Sequence, residues 1–196
     1  MSAEQFLDRV FAKVPASPGS SFNFQSWRHA SRPTKEGVGI LPMANVPVDA
    51  MVSRIKDIDS YKGNINFVAE SRVVPGPENT PQSIRFYQRI DIPMLSAIQM
   101  ELVLHDFGER AGWRVLAWDL HAATDRLNPK QGARSEYNVG AWLLRPDAVG
   151  YALSSSPRKG DVGRLKFAAL TRGADASAGK VVRDNIEGMV RWARRG

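Results

Sequence analysis

Apolar and polar residues alternate in six consecutive segments of the middle and late chain, which is typical of half-buried strands. Breaks that favour turns separate them, among them Pro75-Gly76-Pro77, Pro93 and Asn128-Pro129. Most of these connections are short, and successive short connections indicate an antiparallel meander. The predicted strands cover residues 65–74, 84–92, 98–107, 113–120, 135–144 and 151–156.

Helical spacing of apolar residues predicts three helices around this meander. The first covers residues 4–14 with Ser2 as its cap, and the second begins at Pro47-Val48-Asp49. The third runs from about Asp161 to the end of the chain, with a break expected between Gly173 and Gly179. Two further strands, at residues 22–27 and 38–46, are expected to pair across a polar turn at residues 31–37.

The order of elements indicates an α+β fold with its helices on one side of an antiparallel sheet. A strongly curved sheet with a long helix across its open face leaves an interior that short side chains do not fill. Such interiors tend to hold ligands. We therefore expect one domain over residues 1–196, with an extension at residues 1–45 and the core at residues 46–196.

Composition excludes some classes of protein but does not indicate a function. The chain has 196 residues, of which 43% are hydrophobic and 24% charged, as in an ordinary soluble protein. No apolar run reaches the roughly 20 residues that span a bilayer. The N-terminus has no secretory signal, so we expect a cytoplasmic location. The absence of cysteine excludes disulfides and thiolate metal sites.

The net charge of +7 favours anionic partners. The basic residues are scattered, however, and the densest group, Arg191, Arg194 and Arg195, also suits a helix C-terminus. We therefore expect a basic surface that makes at most transient contact with an anionic membrane. Aromatic residues lie on separate elements without a stacking platform, which argues against nucleic acid as a partner.

Four stretches give the chain a resemblance to the START and Bet v 1-like (SRPBCC) helix-grip superfamily. Residues 84–93 look like the strand before the family's central turn, and residues 128–136 carry Pro129, Gly132, Arg134 and Glu136. Residues 144–146 and 156–163 look like the following turn and helix start. The resemblance covers residues 46–195. It implies a curved antiparallel sheet wrapped around a long C-terminal helix, with a tunnel for a lipid, sterol, polyketide or similar hydrophobe.

One departure from the family concerns the central turn. Many START domains have Asp-Arg-Asp after a Leu-Ser pair, whereas here Leu95-Ser96 is followed by Ala97-Ile98-Gln99. Ile98 should make the pocket more apolar at this point. Most relatives bind or carry ligands and a minority catalyse cyclisation or hydrolysis. The resemblance thus favours binding or transport of a hydrophobic molecule, with a polyketide aromatase/cyclase-type enzyme as the alternative.

Strand alternation supplies most candidate ligand-binding residues, with ordinary core packing as the alternative for each. Gln88 is the odd member of its apolar row, and a buried amide needs a hydrogen-bond partner. On the last helix, Ile186 and Met189 are expected to face the pocket. The apolar and amide candidates are Phe67, Phe86, Gln88, Ile98, Met100, Leu102, Trp142, Ile186 and Met189.

Asp119, Arg134 and Glu136 are the candidates for buried charge. They lie in neighbouring predicted strands that flank a long loop. They could form a paired ion network at the pocket mouth, or Arg134 could orient an anionic or carbonyl headgroup. At least one pairing is expected, because an unpaired buried charge is too costly.

The sequence indicates no cofactor, metal site or assigned catalytic residue. His29, His105 and His121 lack the spacing of metal ligands, and no Gly-x-Ser-x-Gly elbow occurs. Gly37-Val38-Gly39 lacks the third glycine of a dinucleotide site. An acid or base role for Asp119 or His121 belongs only to the cyclase alternative.

Overall fold

The computed structural model describes residues 2–29, 32–92 and 96–195. The predicted break at Pro93, the Leu95 position and Ser31 of the predicted turn lie outside these residues. The described strands form one sheet in the order β1-β2-β8-β7-β6-β5-β4-β3. They are β1 Asn23–Trp27, β2 Glu36–Pro42, β3 Val68–Val73, β4 Ser83–Ile92, β5 Ser96–Arg110, β6 Trp113–Leu120, β7 Ala133–Arg145 and β8 Ala148–Pro157.

Neighbouring strands are antiparallel, as predicted. One short parallel contact, Ile98 to Ala133 and Gln99 to Arg134, joins β5 to β7 and closes one end of the curved sheet. The helices are α1 Ala3–Phe11, α2 Val48–Lys56, α3 Lys159–Val162 and α4 Arg164–Ala193. The α+β helix-grip prediction is therefore confirmed. Among the described residues, no helix is long and apolar enough to cross a membrane.

The helices do not all lie on one side of the sheet, which corrects the sequence-based expectation. α1 begins with a capping box, in which the Ser2 hydroxyl accepts from the Gln5 amide at 3.3 Å. Its buried residues pack with Val139 and Leu143, whereas Trp142 and Leu144 of the same strand pack with α2 and α4. Because alternate residues of β7 point to opposite faces, both faces of the sheet are covered.

α4 is a single helix of 30 residues, so the break expected between Gly173 and Gly179 is wrong. The chain breaks earlier, at Gly163, whose positive φ of 77° separates α3 from α4. A glycine inside a helix costs only about 1 kcal/mol, which tertiary packing outweighs. Gly179 also leaves room for the Phe24 ring, which an added Cβ would approach to 3.2 Å.

An ion cluster ties α2 to the sheet through Asp106 of β5. The Asp106 carboxylate accepts from Arg114 at 2.7 Å, from the Lys56 ammonium at 2.6 Å and from the Gly108 amide at 3.1 Å. Hydrogen bonds from Arg114 above all hold the pKa of the Asp106 carboxyl well below its usual range, despite burial. A depressed folded pKa means that the stabilisation is complete above the unfolded value and is lost as the pH falls.

We expect Asp106→Asn to lower the free energy of unfolding by about 2 kcal/mol near neutral pH, because three donors lose a charged acceptor. The difference from wild type should shrink once the pH falls below about 3.9, the ordinary value of an aspartate. Urea unfolding at neutral and acidic pH measures both effects. Asp91→Asn, at a 55% exposed carboxylate beside Arg89, is the control and should change little. A difference that does not depend on pH would contradict this account.

Candidate ligand-binding cavity

A cavity of about 770 Å³ lies between the inner face of the sheet and α4. Its wall is built by strand alternation, since Phe86, Gln88 and Ile90 of β4 share one face. The cross-strand partner of Phe86 is Leu102 of β5, on the same face. Further wall residues with large side chains are Leu104, Trp118, Trp142, Tyr151 and Leu153.

The roof of the cavity is formed by small residues of α4. Gly173, Ala174, Ser177 and Ala178 line it, followed towards the C-terminus by Val181 and Met189. Short side chains on the helix cannot reach the aromatic and branched residues of the sheet, so the space between them stays open. The same α4 is anchored further along by Ile186, which is fully buried.

Phe67 marks one edge of the cavity. The residue is 53% exposed, and its backbone has a φ of 64°, a conformation that L-residues rarely adopt. The Phe67 carbonyl accepts from the Asp91 amide at 2.9 Å, which attaches this turn to the end of β4. Ile65 and Asn66 line the cavity beside it.

The polar groups on the part of the wall that β4 to β7 form are uncharged. Gln88 is only 9% exposed, and Asn138 of β7 is 7% exposed. The Asn138 carbonyl oxygen accepts from the Trp118 indole at 2.7 Å. Burial raises the pKa of the Tyr151 hydroxyl far above its ordinary value, so that this group stays neutral.

The structure brings six of the predicted ligand-binding residues to the cavity surface: Phe67, Phe86, Gln88, Leu102, Trp142 and Met189. Ile98, Met100 and Ile186 belong to the apolar cluster around the cavity rather than to its described lining. Met100 is nonetheless the cross-strand partner of Gln88.

The three charged candidates do not form the shared network expected at the mouth. Asp119 follows the inward-facing Trp118, so alternation puts it on the outer face, where it accepts from the Ala3 amide of α1 at 2.8 Å. Arg134 and Glu136, the other two members of the expected network, also have partners of their own. The Arg134 guanidinium donates to Asp161 at 2.8 Å, and Glu136 pairs with Arg158 at 3.2 Å.

These pairings separate the three residues. Arg134 above all, through its hydrogen bonds, holds the pKa of the Asp161 carboxyl below its usual range. Glu136 lines a different cleft, of about 300 Å³, together with Pro157 and Lys159. Arg134 and Glu136 do not reach the cavity because they lie at the start of β7, beside α3, away from the inner wall.

Sequence reasoning missed Asn138 and the small residues of α4. Alternation in the predicted strand of residues 135–144 places Asn138 and Trp142 on one face, which was a usable signal. Gly173 and Gly179 predict a helix break, and no local signal shows that the small residues between them face a cavity.

Comparison with known proteins agrees with this geometry. Neither a protein-family model nor a curated protein sequence matches the chain. A STAR-related lipid transfer protein from Xanthomonas axonopodis superposes with a TM-score of 0.68 at 18% identity, over 90% of this chain and 95% of that one. Human STARD10 gives 0.69 at 13% identity, over 97% and 78%.

The di-domain ARO/CYC StfQ, from the steffimycin biosynthetic pathway, gives a TM-score of 0.51 at 16% identity. The match covers 81% of this chain and 48% of that protein. At such identities the likeness concerns the fold alone. The chain therefore has the START/Bet v 1-like helix-grip fold, as the sequence resemblance predicted.

Proposed function

We propose that this chain binds a hydrophobic small molecule, such as a lipid, sterol or polyketide-like compound, for storage or transport. The observation that carries the proposal is the 770 Å³ space between an apolar sheet wall and the small-residue roof of α4. This volume lies within the range of about 300–1,000 Å³ that is usual for small-molecule sites. We propose Phe67, Phe86, Gln88, Leu102, Trp142 and Met189 as ligand contacts.

The energetics support occupancy of this space. Side chains that line an unfilled apolar space lose dispersion contacts, which a hydrophobic ligand restores. A ligand that binds only the folded chain stabilises it by about 2.7 kcal/mol at one hundred times its dissociation constant. Binding should therefore raise the unfolding temperature.

Two measurements test the proposal. Organic extraction of the purified protein, followed by mass spectrometry, should recover a hydrophobic compound. Titration with diphenylhexatriene, a dye that contains only carbon and hydrogen, should give saturable fluorescence and a higher unfolding temperature. If no compound is recovered, the dye does not bind and the unfolding temperature is unchanged, the proposal fails.

The aromatase/cyclase alternative has weaker support. It depended on Asp119, Arg134 and Glu136, whose partners lie outside the cavity lining. The similarity to StfQ concerns the fold, so we propose binding rather than catalysis. The cytoplasmic location, the transient membrane contact and the boundary near residue 45 stay predictions.

A further inference from the structure

The first observation concerns Gln88 in the sheet wall. Its side chain is about nine-tenths buried, lines the cavity and has no hydrogen bond to another described residue. Buried amides are almost always paired, because an unpaired one loses its hydrogen bonds to water without compensation. Gln88 therefore has both a free donor and a free acceptor at the cavity surface.

The second observation fixes the orientation of Asn138. The Trp118 indole nitrogen can only donate, so the Asn138 atom that it meets at 2.7 Å must be the carbonyl oxygen. The Asn138 amide nitrogen then points the other way, 3.2 Å from the Met100 sulfur. A thioether is a weak acceptor, and the nitrogen has a second hydrogen to donate.

The two amides lie on either side of Met100. Gln88 is the cross-strand partner of Met100, and Asn138 contacts the Met100 sulfur. Both amides line the cavity, and each is next to Met100. Together they offer at least two donors and one acceptor.

The third observation is the distribution of charge. The charged lining residues are Lys35, Glu36, Asp175, Lys180 and Asp184, which belong to β2, the segment before it or α4. Their carboxylates already have partners: Glu36 accepts from Arg9, Asp175 from the Lys35 amide and Asp184 from Lys180. The described lining residues of β4 to β7 are uncharged.

We propose that the ligand has one uncharged hydrogen-bonding group, a hydroxyl or carbonyl, and that Gln88 and Asn138 hold it. This inference rests on the proposed function of the same cavity. A carboxylate or phosphate beside Gln88 would be buried without a counter-charge on the sheet wall, at a cost that two neutral amides do not offset. A hydroxyl can both donate to and accept from these amides.

Matched competitors test the headgroup. Diphenylhexatriene bound to wild type is displaced with dodecanol, dodecanoic acid or cholesterol. Dodecanol should compete at least about tenfold better than dodecanoate near pH 8, where the acid is ionised. The gap should narrow near pH 5, because a buried carboxyl binds in its protonated form. Displacement by dodecanol and not cholesterol identifies a chain as the source of the hydroxyl. Displacement by cholesterol and not dodecanol identifies a ring system, and cholesteryl sulfate then replaces dodecanoate as the charged competitor, with the same expected gap of at least about tenfold.

A variant tests the residue. Gln88→Leu keeps the approximate size of the side chain and replaces a lining amide with an apolar group, so the affinity for diphenylhexatriene, which makes no hydrogen bond, should not fall and serves as the reference for the alcohol. Its affinity for the preferred alcohol should fall by up to about tenfold. Gln82→Leu, the same change at an exposed position before β4, should leave every affinity unchanged.

The outcomes separate the two proposals. If wild type fails to bind the dye, the proposed function and this inference both fail. If the dye binds but the charged competitor displaces it near pH 8 as well as the alcohol of the same skeleton does, only the headgroup inference is overturned. The same holds if Gln88→Leu keeps the full affinity for the alcohol.

Discussion

Replacing both Ala174 and Ala178 with tryptophan is expected to weaken ligand binding at least about 100-fold, or ~2.7 kcal/mol. The two residues line the cavity from one face of α4, one turn apart. Two indole side chains there would occupy the space that the small residues leave open. The measurement is saturation binding of diphenylhexatriene, together with the amount of compound extracted from the purified variant.

The control places the same two indoles elsewhere on the helix. Ala169 and Ala176 are exposed, as Ala174 is, but they lie outside the described cavity lining. Ala169→Trp with Ala176→Trp should bind the dye with the wild-type affinity. Equal binding by wild type and the cavity variant would show that the dye occupies some other site, and the proposed function would lose its main support.

Gly140→Val is expected to destabilise the fold by about 3 kcal/mol, although valine is a better strand former than glycine. A Cβ at Gly140 would lie 2.2 Å from the Trp118 ring and 2.6 Å from the Ala152 carbonyl oxygen. Trp118 pairs with Gly140 across β6 and β7, so its ring lies on the glycine. The backbone oxygen cannot move away without breaking the pairing of β7 with β8.

Urea unfolding measures this loss, and ligand binding provides a second readout. Displacing the Trp118 indole also removes the hydrogen bond that orients Asn138, so the variant should lose its preference for a hydroxyl ligand. Gly160→Val is the control, because a Cβ there meets no heavy atom within 4 Å. A Gly140→Val protein as stable as the control would contradict the close packing.

The alternation of apolar and polar residues was sufficient to predict most strands of the sheet. The strand at residues 113–120 was predicted with the bounds that the structure gives, and the row of Phe86, Gln88 and Ile90 was placed on the correct face. A strand has a period of two residues, so alternation shows which side chains share a face without knowledge of their neighbours. The ends were less accurate, since β5 extends to Arg110 and β3 begins at Val68.

The ion-pair partners of the charged candidates could not be predicted from local sequence. Arg134 pairs with Asp161, which is 27 residues away in sequence and belongs to α3. Asp119 pairs with the backbone of α1, 116 residues away. No local signal indicates which distant carboxylate meets a guanidinium, because that depends on how the connections bring the ends of strands to the helices.

The sequence by itself determined the α+β class, the antiparallel meander, the long C-terminal helix and the resemblance to helix-grip proteins. These features follow from periodicity, turn chemistry and short motifs, which act over a few residues. Only the tertiary structure decided that α1 covers the outer face, that α4 continues through Gly173 and Gly179, and that its small residues roof a cavity. Each of these depends on the packing of elements that are far apart in the chain, where the gain from burial outweighs a local cost.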